Sequence, residues 1–184
     1  MIVLFIGSFN PVTKAHQEIV RRIKEMKETK KVVIVPVGDN YGKQSLNTSF
    51  KDRKAMLELV FDDEISDFEN KQRQQVKTLI TLKHFDQLYD DDLAIVIGAD
   101  NLETFNQWYK VEDILEHYFV VVVNRQNNLE KIINQDPLLK KYQDRFIVLN
   151  DFNIKVSSSQ ARANISSDFL DEKVVDYIKK KRLY

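Results

Sequence analysis

Four short apolar, largely β-branched runs constrain this chain most: IVLFI at 2–6, VVIVPV at 32–37, IVIG at 95–98 and FVVVV at 119–123. Each is apolar at consecutive positions rather than alternating ones, so each must bury both faces, as strands of a parallel sheet do. The stretches between them carry apolar residues at helical spacing: Ile19, Val20, Ile23 and Met26; Met56, Leu57, Val60 and Phe61; Leu79, Leu82, Phe85 and Leu88. Strand and helix in alternation predict an α/β fold, a doubly wound and mostly parallel sheet with helices on both sides. Weaker runs near 65–68 and 146–149 extend the sheet through right-handed crossovers. Ser49 with Asp52 three residues on reads as the N-cap of the helix that carries Arg53. With 184 residues, 43% of them apolar, the chain has the core of one domain spanning 1–184.

The 28 basic and 28 acidic side chains cancel. The field of a nucleic-acid binder is therefore missing, and any anion must be held locally. Without cysteine there is no disulfide framework, thiolate nucleophile or Cys-ligated metal, and three histidines leave little for a metal cage, so no metal-ligating set is expected. The first apolar run, at 2–6, falls short of the ~7 residues of a signal-peptide core and the ~20 of a membrane helix. A cytoplasmic protein without a membrane partner is expected, and a homo-oligomer stays open.

The chain has only four glycines and three prolines, and most gather after strands: Gly7 and Pro11 after the first, Gly38 and Gly42 after the second, Gly98 at the end of the third clear one. Open α/β sheets bind their ligands at those carboxyl ends. The segment GSFNPVTKAH at 7–16 lacks the second and third glycines of a dinucleotide fingerprint and is not a P-loop. It does offer a tight turn, free N–H groups at a helix start, and Thr13 and His16 on one helical face. That describes a phosphate site with a proton donor beside it. It equally describes a threonine cap with a surface histidine.

The run Thr13, Lys14, Ala15, His16 resembles the (H/T)-x-G-H signature of the nucleotidyltransferase superfamily, with threonine for the first histidine and alanine for the glycine. VSSSQAR at 156–162 resembles the I-S-S-T-x-x-R motif of the same superfamily, with Ser159 for threonine and Arg162 in the arginine position. The segment IGADNLETFNQWYKVEDILEHY at 97–118, with its GADN block and Trp108, is similar to nicotinate-nucleotide adenylyltransferases. The final VVDYIKKKRLY resembles that family's last helix, and KQSLNTSFKDRKAML, with Lys43 and Arg53, matches it more loosely. After Glu69 the family's S-Y-T stretch is replaced by KQRQQVKTL, which matches only at Thr78 and Leu79.

The resemblance implies a Rossmann-like nucleotidyltransferase fold, with about 156–184 carrying the second phosphate motif and the final helix. It implies transfer of AMP from ATP, with Mg2+, to the 5′-phosphate of nicotinate mononucleotide, releasing pyrophosphate. ATP and a mononucleotide are then the partners, and nucleic acid is not. Phosphopantetheine, nicotinamide mononucleotide, a CTP-dependent reaction and a non-catalytic nucleotide-binding module remain alternatives. By the same resemblance His16 binds the α-phosphate with Thr13 beside it, and Gly7, Ser8 and Phe9 hold a phosphate through their backbone. Gly98 and Asp100 face the ATP, and Ser158, Ser159 and Arg162 hold its outer phosphates. Asn10, Lys43, Arg53, Trp108 and Arg125 contact the acceptor. Each has a plainer reading: Lys43 as a solvated loop lysine, Arg53 as a surface ion-pair partner, Trp108 as core, Arg125 as surface. His84 and His117 read as structural or solvent-facing, Asp90, Asp91 and Asp92 as a solvated turn, and KKKR at 179–182 as a basic last turn favoured by the helix dipole.

Overall fold

The computed structural model describes residues 1–42, 46, 48–124, 129–150, 152, 154 and 156–184. In chain order its elements are β1 (Ile2–Gly7), α1 (Lys14–Glu25), β2 (Lys31–Pro36), α2 (Phe50–Glu58), β3 (Glu64–Ile65), α3 (Thr78–Asp86), β4 (Leu93–Gly98) and α4 (Ala99–Leu102). They continue with α5 (Val111–His117), β5 (Phe119–Val123), α6 (Leu129–Gln135), α7 (Pro137–Lys141), β6 (Phe146–Leu149), α8 (Ser158–Ala163) and α9 (Glu172–Lys181). The six strands form one sheet in the order β3-β2-β1-β4-β5-β6, and every neighbouring pair is parallel. This is the doubly wound arrangement, and its order reverses between β1 and β4.

The consecutive apolar runs are explained by what each face meets. Successive strand side chains point to opposite sides. Val3, Phe5, Val32, Ile34, Val96 and Val121 enter one core layer with Ile19 and Ile23 of α1, Met56 of α2 and Val174 and Ile178 of α9. Ile2, Leu4, Val33, Val35, Ile95, Ile97 and Val122 enter the other, with Leu82 and Phe85 of α3 and Ile114 of α5. Neither face could be polar without losing a helix layer.

Some elements are shorter than the apolar spacing suggests. β3 holds only Glu64 and Ile65, and α3 ends at Asp86, leaving Leu88 59% exposed. Ser49 caps α2, accepting the Asp52 N–H at 3.1 Å. His84 stacks on Phe68 at 3.8 Å between ring centroids, and His117 Nδ1 lies 2.9 Å from the Asp113 carbonyl of its own helix. Asp91 pairs with Lys30, and the Asp92 carbonyl accepts the Ile2 N–H at 2.7 Å, so that acidic turn starts β1 and β4 in register. The segment carrying α8 and α9 returns to the start of α1, where the Lys14 N–H donates to the Phe169 carbonyl at 2.9 Å. Among the described residues no helix is long and apolar enough to cross a membrane.

Candidate active site

At the carboxyl ends of β1 and β4, where the strand order reverses, lies an open cleft of about 380 Å³. Gly7, Ser8, Phe9 and His16 line one wall, and Gly98, Asp100, Asn101 and Trp108 line the other. Thr78, Glu69 and Tyr41 lie along the β2 side.

The first wall is built by a turn that only certain residues permit. Phe9 has φ 45, the left-handed region, unusual for a bulky side chain. Its ring is nearly fully buried, edge-on to Phe5 at 5.2 Å and to His16 at 5.1 Å. A Cβ on Gly7 would stand 3.1 Å from Phe9 Cζ, which is why a glycine precedes this turn. The Gly7 carbonyl accepts the Val37 N–H at 3.0 Å, and among the described residues the Ser8 and Phe9 N–H groups have no partner.

Thr13 and His16 close a capping box at the start of α1. The Thr13 N–H donates to His16 Nδ1 at 2.9 Å, and the Thr13 hydroxyl lies 2.9 Å from the same nitrogen. A backbone N–H can only donate. Nδ1 therefore carries a lone pair, and the proton of the neutral ring sits on Nε2. The bond that starts the helix thus also fixes the tautomer of the ring.

The second motif is bolted to the first. Ser157 and Gln160 form a capping box on α8, and Ser158 Oγ donates to the Pro11 carbonyl at 2.9 Å. Arg162 Nη1 donates to the Asn10 carbonyl at 2.5 Å and Nη2 to Ser159 Oγ at 3.1 Å. The Tyr184 hydroxyl donates to Asn10 Oδ1, and burial pushes its pKa up to about 12. Ser158, Ser159 and Arg162 flank the turn beside the cleft rather than lining it.

Gly7, Ser8, Phe9, His16, Gly98, Asp100 and Trp108 are brought together as the sequence suggests. Thr13 and Asn10, each 1% exposed, stand behind the wall. Trp108 is half-buried, packed edge-on to Phe105 at 4.9 Å, and lines the cleft with its remaining surface. Asp100 is exposed in the first turn of α4, where a carboxylate also suits the helix dipole. Lys43 and Arg125 lie outside the described residues.

Arg53 requires correction. It is neither a surface ion-pair partner nor at the cleft surface: its side chain is 0% exposed. Its guanidinium donates to the carbonyls of Ser8 at 2.9 Å, Val37 at 2.8 Å and Thr48 at 3.2 Å, and pairs with Asp39 at 3.2 Å. Burial lowers its pKa from the ordinary arginine value, against the raising effect of Asp39. No face of it is left to meet an acceptor.

Glu69 escaped the sequence reading. It is 3% exposed, its carboxylate accepts the Thr81 hydroxyl at 2.7 Å, and burial raises its pKa above the ordinary carboxylate value. A lone acid followed by Asn70, Lys71, Gln72 and Arg73 looks like surface.

A family model described as cytidylyltransferase-like matches residues 4–167. A probable nicotinate-nucleotide adenylyltransferase of Caldicellulosiruptor bescii is 33% identical over 193 residues, covering 100% of this chain and 98% of the relative. One from Acholeplasma laidlawii is 32% identical, covering 100% and 97%. Among solved structures, the Plasmodium falciparum nicotinic acid mononucleotide adenylyltransferase complexed with NaAD superposes with a TM-score of 0.83 at 20% identity, over 100% of this chain and 96% of that one. That likeness is one of fold.

Proposed function

The chain belongs to the cytidylyltransferase-like family and, within it, to the nicotinate-nucleotide adenylyltransferases, and from that premise we propose how its cleft joins ATP to nicotinate mononucleotide. An oxygen of the acceptor's 5′-phosphate attacks the α-phosphorus of ATP, the bond to the β-phosphate oxygen breaks, and pyrophosphate leaves. The acceptor is already an anion, so no side-chain nucleophile or base is needed. Catalysis reduces to alignment and to stabilising charge that grows on the α-phosphoryl and leaving oxygens.

The observation that carries this reading is the pairing of His16, fixed as its Nε2–H tautomer, with the unpartnered Ser8 and Phe9 N–H groups on one wall of the switch-point cleft. Three donors then face the α-phosphate. Ser159 and Arg162, beside the same turn, hold the β- and γ-phosphates through the Ser159 hydroxyl proton and the guanidinium N–H groups not spent on Asn10 and Ser159, while Ser158, whose hydroxyl donates to the Pro11 carbonyl, fixes the start of α8. Asp100 receives the adenosine side, and Trp108 offers its face to the pyridine ring. ATP would enter as its magnesium complex, the ion supplying positive charge against the triphosphate.

The test is pyrophosphate release from ATP across an acceptor panel. Nicotinate mononucleotide should give a higher kcat/KM than nicotinamide mononucleotide or phosphopantetheine, and ATP a higher one than CTP. Turnover with phosphopantetheine alone, or with CTP in preference to ATP, overturns the reading.

A further inference from the structure

The fully buried Arg53 needs a reason, since removing a guanidinium from water is expensive and surface lysines or arginines would serve α2 equally well. Its partners supply one. They are the Ser8 carbonyl just after β1, the Val37 carbonyl just after β2 and the Thr48 carbonyl just before α2, so one planar group ties three chain segments at the rim of the cleft. Asp39, itself 55% exposed, joins from outside and also accepts the Phe50 N–H at 2.6 Å.

The Ser8 contact matters most. Ser8 C=O and Phe9 N–H belong to the same peptide unit, which is trans, so the two bonds point in opposite directions. Holding the carbonyl towards Arg53, on the buried side, turns the Phe9 N–H towards the opposite side, where Ser8 and Phe9 line the cleft. The next residue is strained at φ 45, a conformation that persists only where its surroundings enforce it. The Phe9 ring locks it from one end and the Arg53 bond from the other.

We propose that Arg53 is a positioning residue for adenylyl transfer: by anchoring the Ser8 carbonyl it aims the Phe9 N–H at the phosphate in the cleft, without touching substrate itself. The inference rests on the function proposed above for its kinetic consequence, but not for its geometry. Lysine keeps the charge and can reach one carbonyl, but lacks the planar fork that spans Ser8, Val37 and Thr48.

The decisive readout is the Phe9 amide. Labelling with carbonyl-13C serine and 15N phenylalanine marks only the Ser8–Phe9 and Ser49–Phe50 peptides in this sequence. In the wild-type protein, ATP should shift the Phe9 signal strongly and the Phe50 signal little. In Arg53→Lys the Phe9 shift should shrink, and kcat should fall by about 10- to 100-fold with a smaller change in KM, part of the loss expected for a misaimed donor. Asp39→Asn loosens the same guanidinium from the exposed side and should move both readouts in the same direction by less. In Arg53→Ala, guanidinium chloride should restore part of kcat where equal sodium chloride does not.

A Phe9 response and kcat unchanged in Arg53→Lys overturn the proposal. If that variant fails to fold, an unchanged response in Asp39→Asn overturns it instead. A wild-type protein whose Phe9 amide ignores ATP also overturns it. A Phe9 response in the wild type that shrinks in the variants, without pyrophosphate release from any acceptor, upholds the positioning and refutes the proposed function, so the two failures are separable.

Discussion

On the proposed function, His16→Ala removes two things at once, and each can be sized. The catalytic part is one preorganised donor to developing charge, a loss of about 10²–10³ in kcat, or roughly 3–4 kcal/mol. The structural part is larger than a surface-like histidine suggests, where a substitution shifts stability by about 0.5 kcal/mol or less. The Thr13 N–H loses its acceptor at 2.9 Å, which costs about 1 kcal/mol as a lost cap. The ring also leaves Phe9 at 5.1 Å and Phe5 at 5.9 Å, a further ~1 kcal/mol. About 2 kcal/mol in a chain of this size lowers Tm by roughly 4–8 °C. His16→Gln separates the terms, because glutamine at the third helical position is the usual partner in a capping box. It should recover most of Tm while kcat stays at least about tenfold below wild type, since an amide is a weaker and differently placed donor. Steady-state pyrophosphate release with thermal melts on the three proteins reads both. Full recovery of kcat in His16→Gln would reduce His16 to a cap, and an unchanged Tm in His16→Ala would refute the capping argument.

Four further outcomes follow from the same geometry. Burial raises the Glu69 pKa above 4.5, so its favourable, protonated contribution is complete below the ordinary carboxylate range and fades as pH climbs through the raised value. Glu69→Gln keeps the Thr81 bond without that charge, so it should raise Tm at pH 8 and flatten the fall of Tm with pH; a lower Tm at pH 8 would show an ionised Glu69 with a favourable partner. Arg162→Ala should weaken ATP binding by roughly 2–5 kcal/mol while leaving AMP nearly unchanged by calorimetry, and equal losses would place Arg162 away from the outer phosphates. Gly38→Ala sets a Cβ 2.7 Å from the Glu69 backbone oxygen, which cannot swing away, and should cost about 1–3 kcal/mol in chemical denaturation. Gly98→Ala meets chiefly the movable Asp100 carboxylate, with the Asn101 side chain at ordinary contact distance, and should instead raise KM for ATP with little loss of stability.

Local devices were legible in the sequence. The consecutive apolar runs required strands covered on both faces, and the two core layers divide their side chains alternately between helices. Ser49 with Asp52, and Thr13 with His16, pair across three residues, a distance the backbone spans within one helical turn. The two motifs that meet beside the cleft, Thr13 to His16 and Val156 to Arg162, were legible by resemblance.

What only the tertiary structure decided is what those residues face. Arg162 and Asn10 are 152 residues apart, and Ser158 and Pro11 are 147 apart; nothing local to either motif fixes those bonds, which exist because α8 returns to the start of α1. Arg53 in a helix of mixed charge has the composition of a surface residue. It is buried because β1 and β2, neighbours in the sheet, deliver two carbonyls to one guanidinium, and a carbonyl pattern leaves no trace in side-chain identity. Glu69 follows the same rule, covered by α3 and the end of β2 rather than by its own neighbours. Hydrogen bonds within one turn are set by spacing along the chain, whereas burial of a polar group is set by the order in which strands assemble, and only the assembled sheet contains that order.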